Sequence, residues 1–504
     1  MGFIEGTDRE QTMYWSFDDM VAEDSMVRVI DRFIDLQDLA QLGFTRVEPA
    51  ATGRSGYAAS PLVKLYVYGY LNTARSSRKL ERECIRNVEV MWLLDGLKPD
   101  YKTISEFRRL NIRPLEKLLK QFIKLCRKWE LVGGELMALD GSKFKASNNK
   151  KNNYSKKKLN DRISRLDEKI TEYLTKLDEE DRLEEAVHEA PEGLIELLER
   201  RESYEALLAK LNETGENEIS MVDPDARLMG NNRGGVEMAY NVQSVVDGKH
   251  HIIVDFDVSM NPSDQGQLGN MAKRLIRQGY RKFTLLADKG YYNGKCLQKG
   301  KKYKITAIVS KQKPSNPKGQ PRQFHTEQFQ YDSETDTYTC PEGKTLHPHS
   351  KKTAKRRIFY NKTACGNCPH LGVCTNGKSK HREVTRGEYA DTYNEADLVF
   401  KENAQLYKLR QQIVEHPFGT VKRTMDGGYF LLRKRRKVRC EVALLFLGYN
   451  LKRAYNVLGF KEIMARLDSM ECCFNEFSHY FSRFFRFRRR SCGFSAQYGF
   501  IAAS

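Results

Sequence analysis

The sequence predicts an α/β protein, in which a mixed β-sheet core follows an all-α region and is interrupted by two insertions. Short apolar runs that end in turn residues recur between residues 131 and 312, as is typical of buried strands. Before residue 130, apolar residues keep helical spacing instead. One insertion repeats leucines at coiled-coil spacing, and the other holds a group of cysteines. At 504 residues, the chain has room for several domains.

The charge balance points to a polyanionic partner. Lysine and arginine number 85 against 66 acidic residues, which gives a formal charge of +19. Such a balance favours nucleic acid or an anionic membrane surface. The first residues lack a basic region followed by an apolar run, and no stretch approaches about 18 consecutive apolar residues. We therefore expect a soluble, unexported protein that binds nucleic acid and no membrane, and eleven cysteines in so long a chain indicate a reducing compartment.

Residues 1–130 predict several short helices joined by tight turns. Ser60-Pro61 reads as an N-cap followed by proline at the first helical position. A second helix is expected through Cys84 to Trp92, and Thr103–Glu106 has the pattern of a capping box. Helical propensity alone fits a helix-turn-helix-like DNA-binding domain and an ordinary helical bundle equally well.

The predicted catalytic core spans residues 131–312 and 395–460 and contains two strands that end in aspartate. The first strand delivers Asp140, and a later strand delivers Asp288. Between them lie a hairpin that turns at Asp247-Gly248 and a helix that starts near Asp264, and a fifth strand follows Asp288. This order of elements is that of a ribonuclease-H-like fold. Alone, either aspartate would more often be a turn former or an N-cap than a catalytic residue.

Downstream, Tyr407–Arg423 predicts an amphipathic helix with an unusual polar face. In a regular helix, Lys408, Gln411 and Lys422 project within about 40° of Glu415. Charge pairing on a solvated helix face would also explain this pattern.

These residues resemble the third catalytic segment of bacterial insertion-sequence transposases of the DDE type. The family pattern is Tyr, two residues, Arg, three residues, Glu, six residues, Lys. Tyr407, Arg410, Glu415 and Lys422 fit it, except that four residues separate Arg410 from Glu415. Asp288-Lys289-Gly290-Tyr291 resembles the second catalytic motif of the family. The helix after Pro61, the run Arg75–Arg78 and the segment Thr103–Ser105 together resemble its N-terminal DNA-binding domain.

The resemblance implies a function and a set of site residues. Asp140, Asp288 and Glu415 would be catalytic and would hold two Mg²⁺ or Mn²⁺ ions. The implied enzyme binds the inverted terminal repeats of its element, cleaves the DNA at the ends and joins the 3′-hydroxyls to target DNA. It would act as a homodimer on double-stranded DNA in a bacterial cytoplasm, close to the nucleoid. The expected DNA contacts are Lys422, Tyr407, Arg410, Arg75, Arg78, Arg108 and Tyr291.

Two other functions remain open from the sequence. A metal-dependent nuclease or resolvase with the same fold would cut DNA without joining it. A DNA-binding protein derived from a transposase would have an inert site, although the presence of all three carboxylates disfavours this reading.

The insertions and the tail carry further predictions. Residues 155–215 predict an antiparallel helical hairpin, and the lysine-rich run Lys143–Lys158 before it could track a DNA strand or be a solvated linker. Residues 312–395 predict a ribbon-like insertion with one structural Zn²⁺, although free thiols or a redox pair also fit. Residues 461–504 form a basic, aromatic tail to which we assign no role. The expected zinc ligands are Cys340, Cys365, Cys368 and Cys374.

Overall fold

The computed structural model describes most of the chain and divides it into two compact units. The described residues are 12, 14–49, 55–148, 153–182, 192–215, 218–220, 222–230, 234–311, 320–349, 355–375 and 379–470. The first unit comprises Met1–Val132, Phe144–Tyr240 and Pro417–Ser504, and the second comprises Gly133–Lys143 and Asn241–His416.

The helices and strands are numbered in chain order. The α-helices are α1 (Met26–Asp35), α2 (Leu39–Leu42), α3 (Ala59–Leu71), α4 (Ser77–Arg86), α5 (Val88–Leu93), α6 (Tyr101–Leu110), α7 (Ile112–Lys128), α8 (Lys156–Arg182), α9 (Glu192–Thr214), α10 (Gln267–Arg277), α11 (Gly294–Lys302), α12 (Lys362–Gly366), α13 (Leu371–Cys374), α14 (Ala390–Glu402), α15 (Ala404–Gly419) and α16 (Arg435–Leu458). The strands are β1 (Leu136–Lys145), β2 (Asn153–Ser155), β3 (Glu218–Ser220), β4 (Arg227–Gly230), β5 (Val236–Asp247), β6 (Ile253–Ser259), β7 (Thr284–Ala287), β8 (Thr306–Val309), β9 (Gln330–Asp332), β10 (Thr337–Thr339), β11 (Thr345–Pro348), β12 (Arg356–Tyr360) and β13 (Val384–Gly387).

The first unit is built on helices, and two of its helix starts differ from the sequence prediction. Helix α3 begins at Ala59, so Pro61 lies inside its first turn. Helix α6 begins at Tyr101, because the Asp100 side chain accepts hydrogen bonds from the backbone N–H groups of Lys102 and Thr103. The expected capping box at Thr103 is therefore already helical, since a stronger cap lies three residues earlier.

The core of the first unit surrounds α3 and α16. Helix α3 is apolar nearly all round, and in α16 every residue from Cys440 to Leu451 is buried although the helix begins with a basic run. Helix α16 packs against α3 and α7. Residues 460–470 continue as a helix, and the rest of the predicted tail lies outside the described residues.

Helices α8 and α9 form an antiparallel hairpin within the first unit. Arg201 of α9 pairs with Asp167 of α8 at 2.5 Å, while Leu159 and Leu211 share one apolar cluster near the open end. Residues late in α9 thus meet residues early in α8, which defines an antiparallel pair. Strands β2 and β3 pair at the base of the hairpin.

A mixed sheet forms the centre of the second unit. Its strands lie in the order β6–β5–β1–β7–β8. β5 and β6 are antiparallel, whereas β1, β7 and β8 are parallel. The crossover from β7 to β8 runs through α11, and α10 precedes β7. In the first unit, β4 extends the pairing along the opening residues of β5.

A smaller antiparallel sheet makes up the cysteine-rich segment. Its strands follow chain order from β9 to β13, and Phe359, Leu346 and Val384 are buried in its core. Beyond it, α14 and α15 lead to a π-helical turn at Thr420–Thr424 in the first unit. Pro417 lies inside α15 without ending it.

Candidate active site

Two neighbouring parallel strands place Asp140 and Asp288 side by side. Strands β1 and β7 pair with Leu139 opposite Ala287, so the two aspartates are the next residues in the same register. Neighbouring strands are about 4.8 Å apart, which brings both carboxyl groups to one edge of the sheet. The Asp288 side chain also accepts a 2.7 Å hydrogen bond from the backbone N–H of Gly290. Asp288 thus has the N-capping role that is common for an aspartate after a strand. This hydrogen bond uses only one of its two carboxylate oxygens.

A third acidic side chain, Asp264, lies beside this pair and was not identified from the sequence. The predicted helix was expected to start near Asp264, but α10 starts at Gln267, which leaves Asp264 in the preceding loop. Its Oδ1 accepts hydrogen bonds from Asn241 Nδ2 and Gln243 Nε2, each at 2.7 Å. Asn241 and Gln243 lie two residues apart on the same face of the mostly apolar strand β5, and this pair of amides was the available sequence signal.

Two glycines allow these acids to approach the strand ends. A Cβ atom at Gly141 would lie 2.5 Å from Asp264 Oδ1. One at Gly290 would lie 2.9 Å from Asp288 Oδ1 and 3.6 Å from Asp264 Oδ2. Any larger residue at Gly141 would therefore displace Asp264 from the pair.

Tyr291 supports this network from inside the protein. Its side chain is fully buried, and its hydroxyl donates a 2.5 Å hydrogen bond to Gln243 Oε1. That bond leaves Gln243 Nε2 directed to Asp264. Burial and the charges of Asp264, Asp140 and Asp288 raise the pKa of Tyr291 well above its usual value, so it stays a neutral donor. This burial argues against the DNA contact expected for Tyr291.

Burial raises the pKa of the Asp140 carboxyl to about 6. Arg410, whose Nη1 lies 3.9 Å from Asp140 Oδ1, opposes this rise, whereas the charges of Asp288 and Asp264 add to it. The guanidinium of Arg410 therefore does not offset the full cost of burying the charged Asp140 carboxylate beside two other acids.

Glu415 is exposed on α15. Its Oε1 accepts a 2.7 Å hydrogen bond from Gln411 Nε2. Five residues after Arg410, it lies about 140° around a regular helix and about 7.5 Å along it. Arg410 thus faces Asp140 while Glu415 faces another direction. Among the residues that the structure describes, no three histidine, cysteine or acidic side chains form a group that could hold a metal ion as they stand.

Tyr407 and Lys422, the other two residues of the third motif, are both partly buried. The ring of Tyr407 packs edge-on against Phe400 at 4.9 Å, and Arg410 lies 5.8 Å from its centroid. Lys422 lies in the π-helical turn of the first unit, with Nζ 4.5 Å from the centroid of the Phe144 ring.

The arginines expected to contact DNA differ in accessibility. Arg78 is exposed at the start of α4, above the ring of Tyr101. Arg108 is partly buried, with its guanidinium 5.6 Å from the centroid of Tyr66. Arg75 is 2% exposed and pairs with the fully buried Glu441 at 3.2 Å. Burial argues against Arg75 as a DNA contact and weakens that expectation for Arg108.

The four predicted zinc ligands line one cavity in the cysteine-rich segment. Cys340, Cys365, Cys368 and Cys374 surround a space of ≈ 30 Å³, and all four thiols are free of disulfide bonds. Burial raises the pKa of the Cys374 thiol, Arg382 opposes that rise, and the other three cysteines add to it. The backbone N–H of Lys344 donates to Cys340 Sγ at 3.3 Å. The segment therefore gathers the four sulfur atoms, although they do not stand in a ready-made metal geometry.

None of the described helices is long and apolar enough to cross a membrane.

Comparisons with known proteins identify the family of this chain. No curated protein matches the chain. A cryo-EM structure of the piggyBac transposase synaptic complex with hairpin DNA aligns with 86% of this chain and 81% of its own, at 9% identity and a TM-score of 0.25, which is too low to support an argument about fold. Residues 15–110 match the family model "Transposase domain (DUF772)", and residues 214–451 match "Transposase DDE domain". Together the two family models cover about two thirds of the sequence. The chain therefore belongs to the DDE transposases and carries a DUF772 transposase domain ahead of its DDE domain.

Proposed function

We propose that this transposase binds the inverted terminal repeats of an insertion sequence, cleaves the DNA at the element ends and joins the 3′-hydroxyls to target DNA. Asp140, Asp288 and Glu415 are the proposed catalytic carboxylates. The observation that carries this proposal is the placement of Asp140 beside Asp288 where the parallel pairing of β1 and β7 ends, and burial there raises the pKa of Asp140. Asp288 follows the end of β7, whereas Asp140 lies inside β1, which continues to Lys145 and does not end at the aspartate as the sequence predicted. Perturbed carboxylates of this kind are typical of catalytic sites. The strand order β6–β5–β1–β7–β8 supports a ribonuclease-H-like fold for the catalytic domain.

The donor set at the strand ends fits hard divalent cations. DDE transposases generally use divalent metal ions, and the strand ends offer carboxylate oxygen, the ligand that Mg²⁺ and Mn²⁺ prefer. A cation would also offset the cost of burying Asp140 that Arg410 does not offset. We propose two Mg²⁺ or Mn²⁺ ions, held by Asp140, Asp288 and Glu415. Bound there, they would activate the attacking water or 3′-hydroxyl and stabilise the leaving oxygen.

The residues around the carboxylates have distinct proposed roles. Tyr291 and Gln243 fix Asp264, so that the loop before α10 keeps its position against the strand ends. Arg410 holds Asp140 from α15 until DNA and metal bind. Lys422 and Tyr407 carry the proposed contacts to DNA phosphates in the catalytic domain, and Arg78 carries one in the helical region.

A strand-cleavage and strand-transfer assay tests the proposal. Duplexes that carry the ends of the element are incubated with the protein and Mg²⁺, and nicked and joined products are separated on gels. Asp140→Asn, Asp288→Asn and Glu415→Gln should each abolish cleavage while end binding persists, because the carboxylates act on the reacting phosphate and not on DNA recognition. Glu402→Gln, at an exposed acid of α14, is the matched control and should cleave normally.

Two results would contradict the proposal. Cleavage by Glu415→Gln at the rate of the parent protein would remove Glu415 from the site. Cleavage without joining would instead favour a nuclease or resolvase. Since two ends are cut in one reaction, we propose a homodimer as the active species.

We also propose one structural Zn²⁺ at the four cysteines that line the cavity in the cysteine-rich segment. Four thiolates suit tetrahedral zinc, and the N–H bond to Cys340 Sγ is the kind of second contact that stabilises a bound thiolate. Metal analysis of the purified protein should find about one zinc per chain. Cys365→Ser should lower that content, whereas Cys296→Ser, at a buried cysteine outside the segment, should leave it unchanged. A zinc-free wild-type protein would contradict the assignment.

A further inference from the structure

A second surface with nucleic-acid chemistry lies in the first unit, where two basic stretches of the sequence meet. The end of β1 and the residues after it run alongside the segment that precedes α16. Phe430 N donates to Lys145 O at 2.8 Å, and Lys145 N donates to Gly428 O at 3.2 Å. Together these segments enclose an open groove of ≈ 600 Å³. Its lining includes Lys145, Ser147, Asn148, Tyr429, Phe430 and Arg433.

The floor of the groove contains a rigidly held aromatic ring. Tyr429 is 38% exposed, and the buried guanidinium of Arg75 lies 4.6 Å from its centroid. Arg75 therefore covers one face of the ring, so that a base could stack on the opposite face of this partly exposed residue. The Tyr429 hydroxyl donates to Asp426 Oδ2 at 3.1 Å, which fixes the ring in its plane. A preorganised aromatic surface of this kind loses little conformational entropy when a ligand stacks on it.

Two cations flank this ring. Lys145 and Arg433 are both exposed, and neither pairs with a carboxylate within the described ranges of the chain. Arg433 Nε donates to the backbone carbonyl of Ser147 at 3.3 Å, an orientation that leaves its terminal nitrogens available to a ligand. Side chains with this chemistry bind phosphate groups.

We propose that this groove binds unpaired nucleotides of DNA, with a base stacked on Tyr429 and the flanking phosphates at Lys145 and Arg433. The proposal rests on the proposed function only in that DNA is the ligand. A paired base inside a duplex is covered on both faces by its neighbours, so a stacking surface selects DNA in which a base is free. The duplex itself would use only the two cations. The groove is thus a site for single-stranded DNA at a transposon end or at a melted target.

Fluorescence of 2-aminopurine in a single-stranded oligonucleotide tests the stacking surface. The full-length protein is used in EDTA, so that no cleavage intervenes, and a blunt duplex of the same sequence serves as comparison. Tyr429→Leu should weaken single-strand binding on the order of tenfold and abolish quenching of the 2-aminopurine, because base–aromatic stacking is lost. Duplex binding should change by less than about twofold, since the two cations remain. Tyr429→Phe should bind like the parent, and Tyr14→Leu, at a 95% exposed tyrosine, is the matched control.

A charge variant provides a second test that does not depend on the packing of Tyr429. Lys145→Gln combined with Arg433→Gln should reduce the slope of log affinity against log salt for single-stranded DNA by about 1.4, because each phosphate contact contributes about 0.7. Lys120→Gln combined with Lys124→Gln, at exposed lysines of α7, should leave the slope unchanged.

The results separate this proposal from the proposed function. Equal loss of single-strand and duplex binding in Tyr429→Leu, or unchanged quenching, would overturn the stacking site. An unchanged salt slope in the double variant would overturn the phosphate contacts. If the parent protein cleaves no DNA while Tyr429→Leu loses single-strand binding selectively, the proposed function fails and the groove assignment stands.

Discussion

The charge gathered at the strand ends makes a prediction about stability: Asp140→Asn should stabilise the metal-free protein at pH 8. The folded protein binds the Asp140 proton more tightly than the unfolded chain, because burial raises the pKa from 3.8 to about 6. The free energy of unfolding therefore falls as pH rises through that window. A rise of this size corresponds to at most about 3 kcal/mol at 1.36 kcal/mol per pH unit. Because 27% of the side-chain surface is exposed, water screens part of the cost, and we expect about 2 kcal/mol.

Thermal unfolding followed by far-ultraviolet circular dichroism measures this effect. Trp15, Trp92 and Trp129 all lie in the first unit, so tryptophan fluorescence would not report on the site. At pH 8 in EDTA, Asp140→Asn should raise the Tm of the second unit by about 4–8 °C. Near pH 4 the gain should shrink to a small remainder, since most of the Asp140 carboxyls are then protonated in the folded parent.

The matched control for Asp140→Asn is Glu395→Gln. Glu395→Gln changes an exposed acid that pairs with Lys301 in the same unit, and such pairs contribute about 0–1 kcal/mol. Its Tm should stay close to that of the parent at both pH values. A loss of stability in Asp140→Asn at pH 8, or a gain that does not depend on pH, would refute the argument that burial of the charged Asp140 carboxylate destabilises the metal-free protein.

Two further predictions concern buried groups. Tyr291→Phe should lower the cleavage rate and cost about 1–3 kcal/mol of stability, because Gln243 Oε1 loses its hydrogen-bond donor, while DNA affinity stays constant. Gel assays and DNA titrations measure this, with Tyr303→Phe as control, and weaker DNA binding would instead restore Tyr291 as a DNA contact. Arg75→Met should cost about 3–5 kcal/mol, because Glu441 is left buried without its cation. Thermal unfolding measures this against Arg86→Met, at a 67% exposed side chain, and normal stability with reduced DNA affinity would show that Arg75 contacts DNA.

The strand prediction and the positions of Asp140 and Asp288 follow from local sequence. Each is preceded by a short apolar run that suits a buried strand, and parallel pairing of these two runs brings the aspartates together. The predicted end of the first strand was wrong, because β1 continues past Asp140 to Lys145. The predicted helix starts were less accurate. A single capping residue such as Asp100 sets where a helix begins, and other polar residues nearby are equally plausible caps in the sequence. Asp264 was missed because its role depends on hydrogen bonds from Asn241 and Gln243, more than twenty residues earlier in the chain.

Local sequence did not predict which arginines are buried and which are exposed. Arg75 and Arg78 lie in one short basic run, yet the first is buried against Glu441 and the second is exposed. A run of basic residues indicates nucleic-acid binding, but only packing decides which of them meet an internal carboxylate. Tyr291 gives the same lesson, since its motif suggests a DNA contact and its burial makes it an internal hydrogen-bond donor.

By itself, the sequence determined the α/β class, the basic composition, the two aspartates that follow apolar strand residues and the motif around Glu415, because each depends on composition or on residues close together in the chain. Only the tertiary structure decided which charges are paired, that Asp264 joins Asp140 and Asp288, and that Arg410 rather than Glu415 faces Asp140. These outcomes depend on contacts between residues far apart in the chain: Gln243 and Asp264 are more than twenty positions apart, and Arg75 and Glu441 more than three hundred and fifty. A local sequence pattern does not show which distant side chain will lie beside a given residue.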